Sequence, residues 1–587
     1  MVIAYKFGYK MRQCWVSSSR LRLLFSSLIL ILILLVGYKT AVGDERKASL
    51  NYRVPIDLPV SLSGSYGELR AAHFHAGVDL RVGGVSGAPL YAAEDGYISR
   101  VSVSPGGYGN AIYIDHPDGK TTLYGHMHEF APKIAKWVRE QQYIKESFSI
   151  NIYPEPELFP IKRGEVIGKA GNSGSSGGPH LHFEVRESKT QLPLNPIKEA
   201  AIKVMDNIPP QIQKVNIYSI SGLASLPQRE ILYSLSESVQ NVLSVTDTFY
   251  VAVLGVDKQN NTVARLAVAK YCYSLDGEKI FSFVPDNIPF DQGRYINSVV
   301  EYTEKQENGQ SMIKSWVEPG GGIKSNIDAI NDGLFILNDD QIHTLKIELS
   351  DEHGNVSQRS FKIKRGASYK PGILSDTILV KSGVVMPWFL PNRFERDDIR
   401  VTIPPGSLYS SIFFQADSST YNGFKVWRVH TNKTPLHNSG RVSFKVNIPD
   451  SLREKAIIAI VNDKGGLNSI GGRYSNGWID ASMGSFGFFT VTLDTLMPRV
   501  VPSFKEGANL AGRSYVRFTV TDDLSGVSEY RVTVDGKWIL AAYDPKNRRV
   551  EVELRGDKIT KGGRHNIVVS VTDNSGNINN FKSSFIW

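Results

Sequence analysis

Alternation of apolar and polar residues dominates most of this chain beyond about residue 60. The stretch from Pro89 to Met127 contains three alternating runs, which follow Asp95-Gly96, residues 105–110 and residues 116–119. Successive side chains of a strand point to opposite faces, and Gly, Pro, Asn and Asp mark the turns between strands. The pattern therefore predicts a mainly β protein, beginning with antiparallel strands.

An internal repeat extends this prediction to the second half of the chain. HTLKIELSDEHGN at 343–355 and HNIVVSVTDNSGN at 565–577 match position by position, and each follows a strand that ends at an Asp-Gly turn, at Asp276 and Asp535. Such units are typical of antiparallel β-sandwich modules. The histidine that starts each copy is expected to be structural. Turn formation explains the aspartates and asparagines of the copies without calcium.

Changes in the pattern divide the chain into five segments, of which the fourth is β-rich but lacks the full repeat. The expected segments are a leader at 1–43 and a first domain at 44–205, followed by three β-sandwich modules. Counted after the first domain, these are the second module at 206–366, the third module at 367–490 and the fourth module at 491–587.

The leader accounts for most of the positive charge of the chain. It holds six basic residues and no acidic one, so the net charge of +9 becomes a balance of 61 basic against 58 acidic residues without it. A nucleic-acid partner is therefore not expected. The apolar run 23–37 and the small residues 41–43 predict a secretory signal peptide. An uncleaved membrane anchor through residues 23–37 is the second interpretation, although the run is short for a span.

Cysteine usage excludes one class of exported protein. Cys272 is the single cysteine that follows the leader. No intramolecular disulfide can form, so this chain is not a disulfide-stabilised scaffold.

Histidines concentrate in the first domain and suggest a site. Seven of the twelve histidines lie between residues 73 and 182. His180 and His182 share one face of a predicted strand, and His75 and Asp79 are four apart with Gly77 between them. Gly77 leaves that face free of a side chain that would block a metal. Histidine nitrogen and aspartate oxygen are common zinc ligands, and a catalytic zinc site keeps a position open for water.

Three motifs carry a family resemblance. His-x-x-x-Asp at 75–79, Tyr-Gly-His at 124–126 and GNSGSSGGPHLHFEV at 171–185 resemble, in this order, the lysostaphin-type (LytM-like) zinc metalloendopeptidases. The resemblance covers about a quarter of the chain. It implies a compact antiparallel β-sheet domain of the duplicated hybrid motif type, with one zinc ion in a groove. It also implies that His75, Asp79 and His182 bind the zinc and that His126 and His180 are catalytic.

The chain departs from the family pattern at two places. His73 would share a face with His75, either as an outer partner or as a rival ligand, and the motif spacing favours His75. Residues 129–162 form an insertion, interpreted either as a lid over the groove or as surface decoration. Its first half, APKIAKWVREQQY, predicts a short helix, whereas the prolines of YPEPELFP exclude a regular one.

The resemblance implies a zinc-dependent endopeptidase that hydrolyses peptide cross-links of peptidoglycan. The protein is then expected to be exported to the periplasm or cell envelope, where its tail, which resembles immunoglobulin-like accessory modules, would act as a spacer or bind envelope components. The alternative is a non-catalytic envelope scaffold, or an activator of another cell-wall hydrolase. The intact set of histidines favours the enzyme.

Overall fold

A computed structural model describes residues 52–200, 202–222, 226–260, 262–366, 383–421 and 423–587. The leader expected at 1–43, with its apolar run 23–37, lies outside the described residues, as does the expected start of the third module at 367–382. Among the described residues, no helix is both long enough and apolar enough to span a membrane.

Two antiparallel sheets form the first domain, residues 52–200. The main sheet has the strand order β1-β2-β11-β6-β5-β4-β8, with β12 beside β11 and β9 beside β4, and the small sheet has the order β3-β10-β7. The strands are β1 (Leu62–Gly64), β2 (Val78–Arg81), β3 (Pro89–Tyr91), β4 (Gly96–Val103), β5 (Ala111–Asp115), β6 (Lys120–Gly125), β7 (Glu129–Phe130), β8 (Ile150–Ile152), β9 (Pro160–Ile161), β10 (Val166–Lys169), β11 (His180–Glu187) and β12 (Pro193–Leu194). The helices of this domain are α1 (Pro132–Lys145) and α2 (Pro196–Glu199).

Strand β11 lies near the middle of the main sheet and has two different faces. Leu181, Phe183 and Val185 have no exposed surface and contribute to the core. Because side chains alternate along a strand, the residues between them lie on the opposite face, and that face carries the site.

The insertion at 129–162 is integrated into the first domain. The helix predicted in its first half is present as α1, which buries Ile134 and Val138. Trp137 packs edge-on against Phe159 with 5.4 Å between the ring centres. The second half adds β8 and β9 to the main sheet beside β4. Part of the insertion therefore belongs to the sheet rather than lying on the surface alone.

Two sheets packed on a common core form the second module. Their orders are β14-β13-β16-β19, with β21 beside β16, and β15-β23-β22-β17-β18-β20. The strands are β13 (Gln211–Ser221), β14 (Gln228–Leu235), β15 (Leu243–Val245), β16 (Thr248–Val256), β17 (Lys270–Leu275), β18 (Glu278–Phe283), β19 (Ile313–Lys314), β20 (Ile327–Ala329), β21 (Phe335–Ile336), β22 (Ile342–Ser350) and β23 (Val356–Arg365). Two short helices, α3 (Ile296–Val299) and α4 (Tyr302–Asn308), and 3-10 turns at Phe290–Tyr295, Lys324–Asn326 and Asn331–Gly333 lie between strands.

The third module also has two main sheets over one core, with the orders β25-β26-β30-β34-β33 and β28-β29-β35-β31-β32, and a separate pair β24-β27. The strands are β24 (Val384–Met386), β25 (Asn392–Arg396), β26 (Ile399–Ile403), β27 (Ile412–Phe414), β28 (Ala416–Tyr421), β29 (Phe424–Val429), β30 (Gly440–Lys445), β31 (Ala456–Val461), β32 (Leu467–Ser469), β33 (Arg473–Ser475), β34 (Trp478–Met483) and β35 (Gly487–Leu493). A 3-10 turn spans Asp450–Lys455.

The fourth module repeats the two-sheet plan, with the orders β36-β38-β42-β41 and β37-β44-β43-β39-β40. Its strands are β36 (Arg499–Pro502), β37 (Ala508–Asn509), β38 (Tyr515–Thr521), β39 (Val527–Val534), β40 (Lys537–Trp538), β41 (Ala541–Asp544), β42 (Arg549–Glu553), β43 (Arg564–Asp573) and β44 (Ile578–Ile586). The predicted fold class, mainly β with β-sheet modules after the first domain, is confirmed.

The internal repeat has the same structural role in both of its copies. His343 Nδ1 lies 2.6 Å from Asp276 Oδ2, and His565 Nδ1 lies 2.7 Å from Asp535 Oδ2. Each histidine therefore ties the start of its strand to the Asp-Gly turn that precedes it. These contacts are structural, and both histidines lie outside the cluster in the first domain.

The first domain is joined to both the second and the fourth modules. Phe74 is 7% exposed and belongs to the hydrophobic core of the second module, with its ring centre 6.2 Å from that of Phe283. On another side, Tyr143 of α1 packs edge-on against Trp538 of the fourth module, with 5.1 Å between ring centres. The chain therefore returns to its first domain through its last module.

Replacing Phe74 with alanine is expected to destabilise the joint between the first domain and the second module. The loss of a buried phenylalanine costs about 3–5 kcal/mol. Differential scanning calorimetry should show a lower unfolding midpoint for Phe74→Ala. Phe424→Ala is the matched control, because Phe424 is 68% exposed and should tolerate truncation. Equal midpoints for Phe74→Ala and the wild type would contradict this packing.

Candidate metal centre

The register of three neighbouring strands assembles the site. On β11, His182 pairs with Asp79 of β2 on one side and with Gly125, at the end of β6, on the other. His126 follows Gly125 directly, and His75 precedes β2 by three residues. Residues that are far apart in sequence therefore meet at one end of the main sheet.

Three potential ligand atoms converge at this point. His75 Nε2 lies 3.0 Å from His182 Nδ1 and 3.1 Å from Asp79 Oδ1, and the last two atoms are 2.9 Å apart. All three residues are buried, with 5–7% of their surface exposed. These are the residues for which the sequence predicts metal binding.

The outer hydrogen bonds of the two histidines determine which nitrogens face inward. His75 Nδ1 lies 2.7 Å from the carbonyl oxygen of Ser65, and His182 Nε2 lies 2.7 Å from Glu184 Oε1. Because both partners can only accept hydrogen bonds, each of these nitrogens carries the proton. In the neutral form that a metal ligand requires, the inward nitrogens of both rings hold lone pairs.

This donor set fits a zinc ion. Two lone-pair nitrogens 3.0 Å apart cannot hydrogen-bond to each other and need a cation between them. Donor atoms about 3 Å apart can all lie about 2 Å from one ion, the usual distance for zinc. Two imidazoles and one carboxylate also match the three-ligand composition of catalytic zinc sites.

The structure requires glycine at position 77 for a different reason from the one that the sequence suggests. A Cβ atom built on Gly77 would lie 2.3 Å from the carbonyl oxygen of Phe183 and 2.7 Å from Glu184 Cγ. The glycine therefore allows the backbone before β2 to lie close against β11. This is a correction to the expectation that Gly77 keeps a side chain away from the metal.

The second oxygen of Asp79 has its own partner. Arg70 Nη2 donates a hydrogen bond to Asp79 Oδ2 at 2.9 Å, which leaves Oδ1 directed at the two histidines. Burial alone would raise the pKa of this carboxyl, but the three surrounding histidines hold it well below its usual value. Asp79 is therefore ionised, as a metal ligand must be.

A buried chain of polar residues supports His182 from behind. Arg186 Nε donates to Glu184 Oε2 at 2.6 Å, and Arg186 Nη2 donates to the Tyr108 hydroxyl at 3.1 Å. Against the effect of burial, Arg186 and His182 hold the pKa of Glu184 well below its usual value. Glu184 and Arg186 were not among the predicted site residues, although the two-residue alternation of HLHFEVR places them on the face of His182.

His126 is buried beside the three ligand atoms. Its ring centre is 4.9 Å from that of His180 and 5.7 Å from that of His182. Its Nδ1 lies 2.8 Å from the carbonyl oxygen of Ser173 and donates to it, so Nε2 holds a lone pair. Burial is the main cause that lowers the pKa of His126 to about 3. The ring is neutral at physiological pH.

His180 is the more exposed of the two histidines on β11. Its Nδ1 lies 2.8 Å from the carbonyl oxygen of Gly178, and its Nε2 lies 3.4 Å from Asp79 Oδ1. His180 and His126 therefore flank the three ligand atoms. Both rings are oriented by carbonyl groups of residues 171–178, the glycine-rich loop.

The remaining histidines of the first domain lie elsewhere. His73 is exposed and is not part of the three-residue group, and the outer partner of His75 is Ser65 rather than His73. His116 is buried between the Asp95 carbonyl group and the Thr122 hydroxyl, and His128 is exposed.

The glycine-rich loop, residues 171–178, is held by the fourth module. The ammonium group of Lys546 donates hydrogen bonds to the carbonyl oxygens of Asn172, Gly174 and Ser176, the last two at 3.2 and 3.1 Å. Ser173, which orients His126, lies within the same loop. A residue 370 positions beyond Ser176 in the sequence therefore holds this loop of the site.

Removing the charge of Glu184 is expected to weaken metal binding. Glu184→Gln keeps the shape of the side chain but loses the carboxylate that accepts the His182 proton. Loss of such an outer partner typically lowers metal affinity 10–100-fold. Competition with a chromophoric chelator measures the zinc affinity, and Glu187→Gln on the exposed end of β11 is the control. If both variants bound zinc equally tightly, the support from Glu184 would be disproved.

Removing the ammonium group of Lys546 is expected to loosen the glycine-rich loop. In Lys546→Met three carbonyl groups lose a charged donor, and the orientation of His126 through Ser173 becomes less defined. Limited proteolysis should cleave the loop faster in this variant than in the wild type. Lys537→Met, on an exposed position of the same module, serves as the control. Identical cleavage rates at residues 171–178 in Lys546→Met and the wild type would show that Lys546 does not hold the loop.

Two family models match this chain. "Peptidase family M23" matches residues 73–158 and 159–196, the region that contains the site. "Zu5-like domain" matches residues 383–494, the third module. The third module is thereby described more specifically than the sequence pattern allowed. No family finding tests the immunoglobulin-like interpretation of the second and fourth modules, which stays a prediction.

Individual relatives each match a part of the chain. The DD-carboxypeptidase/endopeptidase Mpg of Neisseria meningitidis is 33% identical over 132 residues, which are 22% of this chain and 24% of Mpg. Lipoprotein NlpD of Yersinia enterocolitica is 30% identical over 105 residues, which are 18% of this chain and 84% of NlpD.

Among solved structures, the chain is similar to the catalytic domain of lysostaphin from Staphylococcus simulans, with 21% sequence identity and a TM-score of 0.18. The match covers 27% of this chain and 98% of that one. The family model lies within the first domain, and NlpD is matched at 30% identity over 84% of its length, so this chain belongs to peptidase family M23.

Proposed function

We propose that this protein is a zinc-dependent endopeptidase that hydrolyses peptide cross-links of peptidoglycan. The observation that carries the proposal is the convergence, at one end of a sheet, of three metal-binding side chains with two further histidines. A structural zinc site would usually be a closed set of four ligands, often cysteines. Here the side of the ligand atoms that faces His126 and His180 is left for a substrate.

His75, Asp79 and His182 would hold the zinc ion. When bound, zinc supplies a Lewis acid that polarises the carbonyl group of the scissile bond and lowers the pKa of water. Glu184 and Ser65 keep the protons of the two ligand histidines on the outer nitrogens, and Arg70 keeps one oxygen of Asp79 directed inward.

His126 and His180 would handle the protons of the reaction. His126 donates its Nδ1 proton to the Ser173 carbonyl group and so presents an unprotonated Nε2, and His180 Nδ1 lies 2.8 Å from the Gly178 carbonyl oxygen. A neutral imidazole can take a proton from the attacking water at Nε2 and then deliver it to the leaving amine. The second imidazole, once protonated, can donate a hydrogen bond to the oxygen that becomes negative.

A groove beside the site has room for a peptide. It encloses about 630 Å³ and is lined by Tyr108, whose ring centre is 5.3 Å from that of His182, and by Arg100 and Arg186. Phe290 of the second module and Asn151 of the insertion line its other side. The insertion is therefore part of the groove wall, which supports a role in substrate selection more than a role as surface decoration.

The choice of substrate rests on the relatives. Mpg is named as a DD-carboxypeptidase/endopeptidase, so the D,D cross-link is the first bond to test. Arg100 of the groove favours a substrate with carboxylates, such as a peptide stem. Because the match spans about a quarter of Mpg, the activity of that protein is only a guide to this one.

The proposed substrate places the protein in the bacterial cell envelope. A signal peptide at the leader and export to the periplasm agree with this location, and a membrane attachment through residues 23–37 stays a prediction. The tail would do more than act as a spacer, because Phe74 and Lys546 connect the second and fourth modules to the site. Binding of envelope components by the tail stays a prediction as well.

Digestion of purified peptidoglycan tests the proposal. Zinc-loaded full-length protein is expected to convert cross-linked muropeptide dimers into monomers, and mass spectra of the products identify the bond. His126→Ala should lower the rate at least 100-fold, because it removes a proton-transfer group. His128→Ala, two residues further along and exposed, should cleave at the wild-type rate.

Equal products and rates from the wild type and His126→Ala would contradict the proposed peptidase activity. An absence of any cleavage by the zinc-loaded wild type would favour the alternative, a scaffold or activator of another hydrolase.

A further inference from the structure

Two clusters of aspartates lie away from the metal centre, in the second and the fourth modules. Within each cluster, carboxylate oxygens from three residues lie within 4.8 Å of one another. The clusters are Asp206 with Asp257 and Asp351, and Asp494 with Asp522 and Asp573.

The first cluster joins three separate pieces of the chain. Asp206 lies in the segment that leads from the first domain into β13. Asp257 directly follows β16, and Asp351 directly follows β22. The side chains therefore meet at the end of the second module where the chain enters it.

The second cluster has the same construction. Asp494 directly follows β35, the last strand of the third module, and Asp522 and Asp573 stand at the ends of β38 and β43. The amide of Asn577 donates to the carbonyl oxygen of Asp494 at 2.9 Å, as Asn355 does to that of Asp206 at 3.4 Å. The same arrangement thus occurs twice, each time where the chain enters a module.

Five of the six aspartate side chains are buried and Asp522 is half-buried, and neither cluster has a compensating cation among the described residues. The side chain of Asp206 is 2% exposed, Asp257 and Asp351 are 6% exposed, and Asp494 and Asp573 are 2% exposed. Across the described part of the chain, no lysine or arginine forms an ion pair with any of the six. The nearest basic group is the His353 ring, with Nδ1 3.6 Å from Asp206 Oδ2. Buried carboxylates that lie this close repel one another unless a cation neutralises them.

Turn formation explains only part of this arrangement. Oδ1 of Asp351 accepts the backbone N–H groups of His353 and Asn355, as expected for a turn. Oδ1 of Asp257, in contrast, is buried and has no hydrogen-bond partner among the described residues, and the same is true of Oδ1 of Asp522. A buried carboxylate oxygen that has no hydrogen-bond donor and lies among other carboxylates is stabilised by binding a cation.

We propose that each aspartate cluster binds one calcium ion. Calcium prefers six to eight oxygen ligands at about 2.3–2.6 Å, and three carboxylates supply the charge and half of such a set. Magnesium requires a stricter octahedron and gives up its water reluctantly. The all-oxygen donor set also separates these sites from the histidine-rich centre, which suits zinc.

The ions would hold the joints between modules. Each one ties the entering segment of the chain to two strand ends of the module that follows. The second site fixes the entry to the fourth module, which also carries Lys546. Calcium would therefore stabilise the placement of the fourth module on the glycine-rich loop, and this inference does not depend on the proposed peptidase activity.

Calcium titration of the full-length protein tests the inference. Isothermal titration calorimetry with calcium chloride, in the presence of one equivalent of zinc, should show two bound calcium ions. At about a hundred times Kd, calcium should raise the unfolding midpoint of these modules by roughly 5–10 °C. Magnesium chloride at equal concentration should give a much smaller shift.

Two single variants distinguish the sites. Asp257→Asn and Asp522→Asn should each lose one of the two ions, and the double variant should lose both. Without calcium Asp257→Asn should be at least as stable as the wild type, because it removes a buried charge of like sign. Asp450→Asn is the control, since the Asp450 side chain is 86% exposed and lies outside both clusters.

Four results would overturn the inference, and the first three concern the response to the ions. They are an absence of calcium binding by the wild type, two bound ions in the double variant, and a magnesium response equal to that of calcium. The fourth result concerns stability. If Asp257→Asn lost the same stability relative to the wild type with and without calcium, the aspartate would act through protein contacts alone, and the inference would be overturned.

Discussion

The two-faced strand β11 is the element on which the site depends. Burial of Leu181, Phe183 and Val185 fixes one face of the strand in the core, and this directs His182 and Glu184 to the other face. A slip of one residue would exchange the faces and remove every site residue of the strand at once. The hydrophobic contribution of the three core side chains is several kcal/mol, which makes such a slip unfavourable. The chemistry of the site is thus specified by ordinary core packing, and the partners on β2 and at the end of β6 follow from the register.

The modules after the first domain also contribute to the site. Phe74, the residue before His75, is buried in the core of the second module, so the segment that carries His75 is held from outside its own domain. Lys546 of the fourth module holds the loop whose Ser173 carbonyl orients His126. The tail therefore contacts two separate segments that carry or orient residues of the site. The proposed calcium sites lie at the entrances to these same two modules, where they would make this support stiffer.

Much of this arrangement follows from short-range patterns in the sequence. The alternation in HLHFEVR places His180 and His182 on one face, and continued by two more positions it would also have indicated Glu184 and Arg186. The helix α1 follows from the spacing of Ile134 and Val138. The contacts of Ser65, Tyr108 and Lys546 could not be predicted, because each depends on the packing of segments that are distant in sequence. The aspartate clusters are a further case, since each aspartate alone has the signature of a turn and only the fold brings three together.

Zinc-edge X-ray absorption spectroscopy of the full-length protein tests the central claim most directly, because it measures the ligand set that the register of β2 and β11 creates. The account predicts two imidazole nitrogens and carboxylate oxygen at about 2.0–2.2 Å, with no sulfur ligand. It further predicts that the imidazole contribution falls to one ring in His182→Ala and stays at two in His73→Ala. A spectrum that did not change in His182→Ala, or that changed instead in His73→Ala, would contradict it.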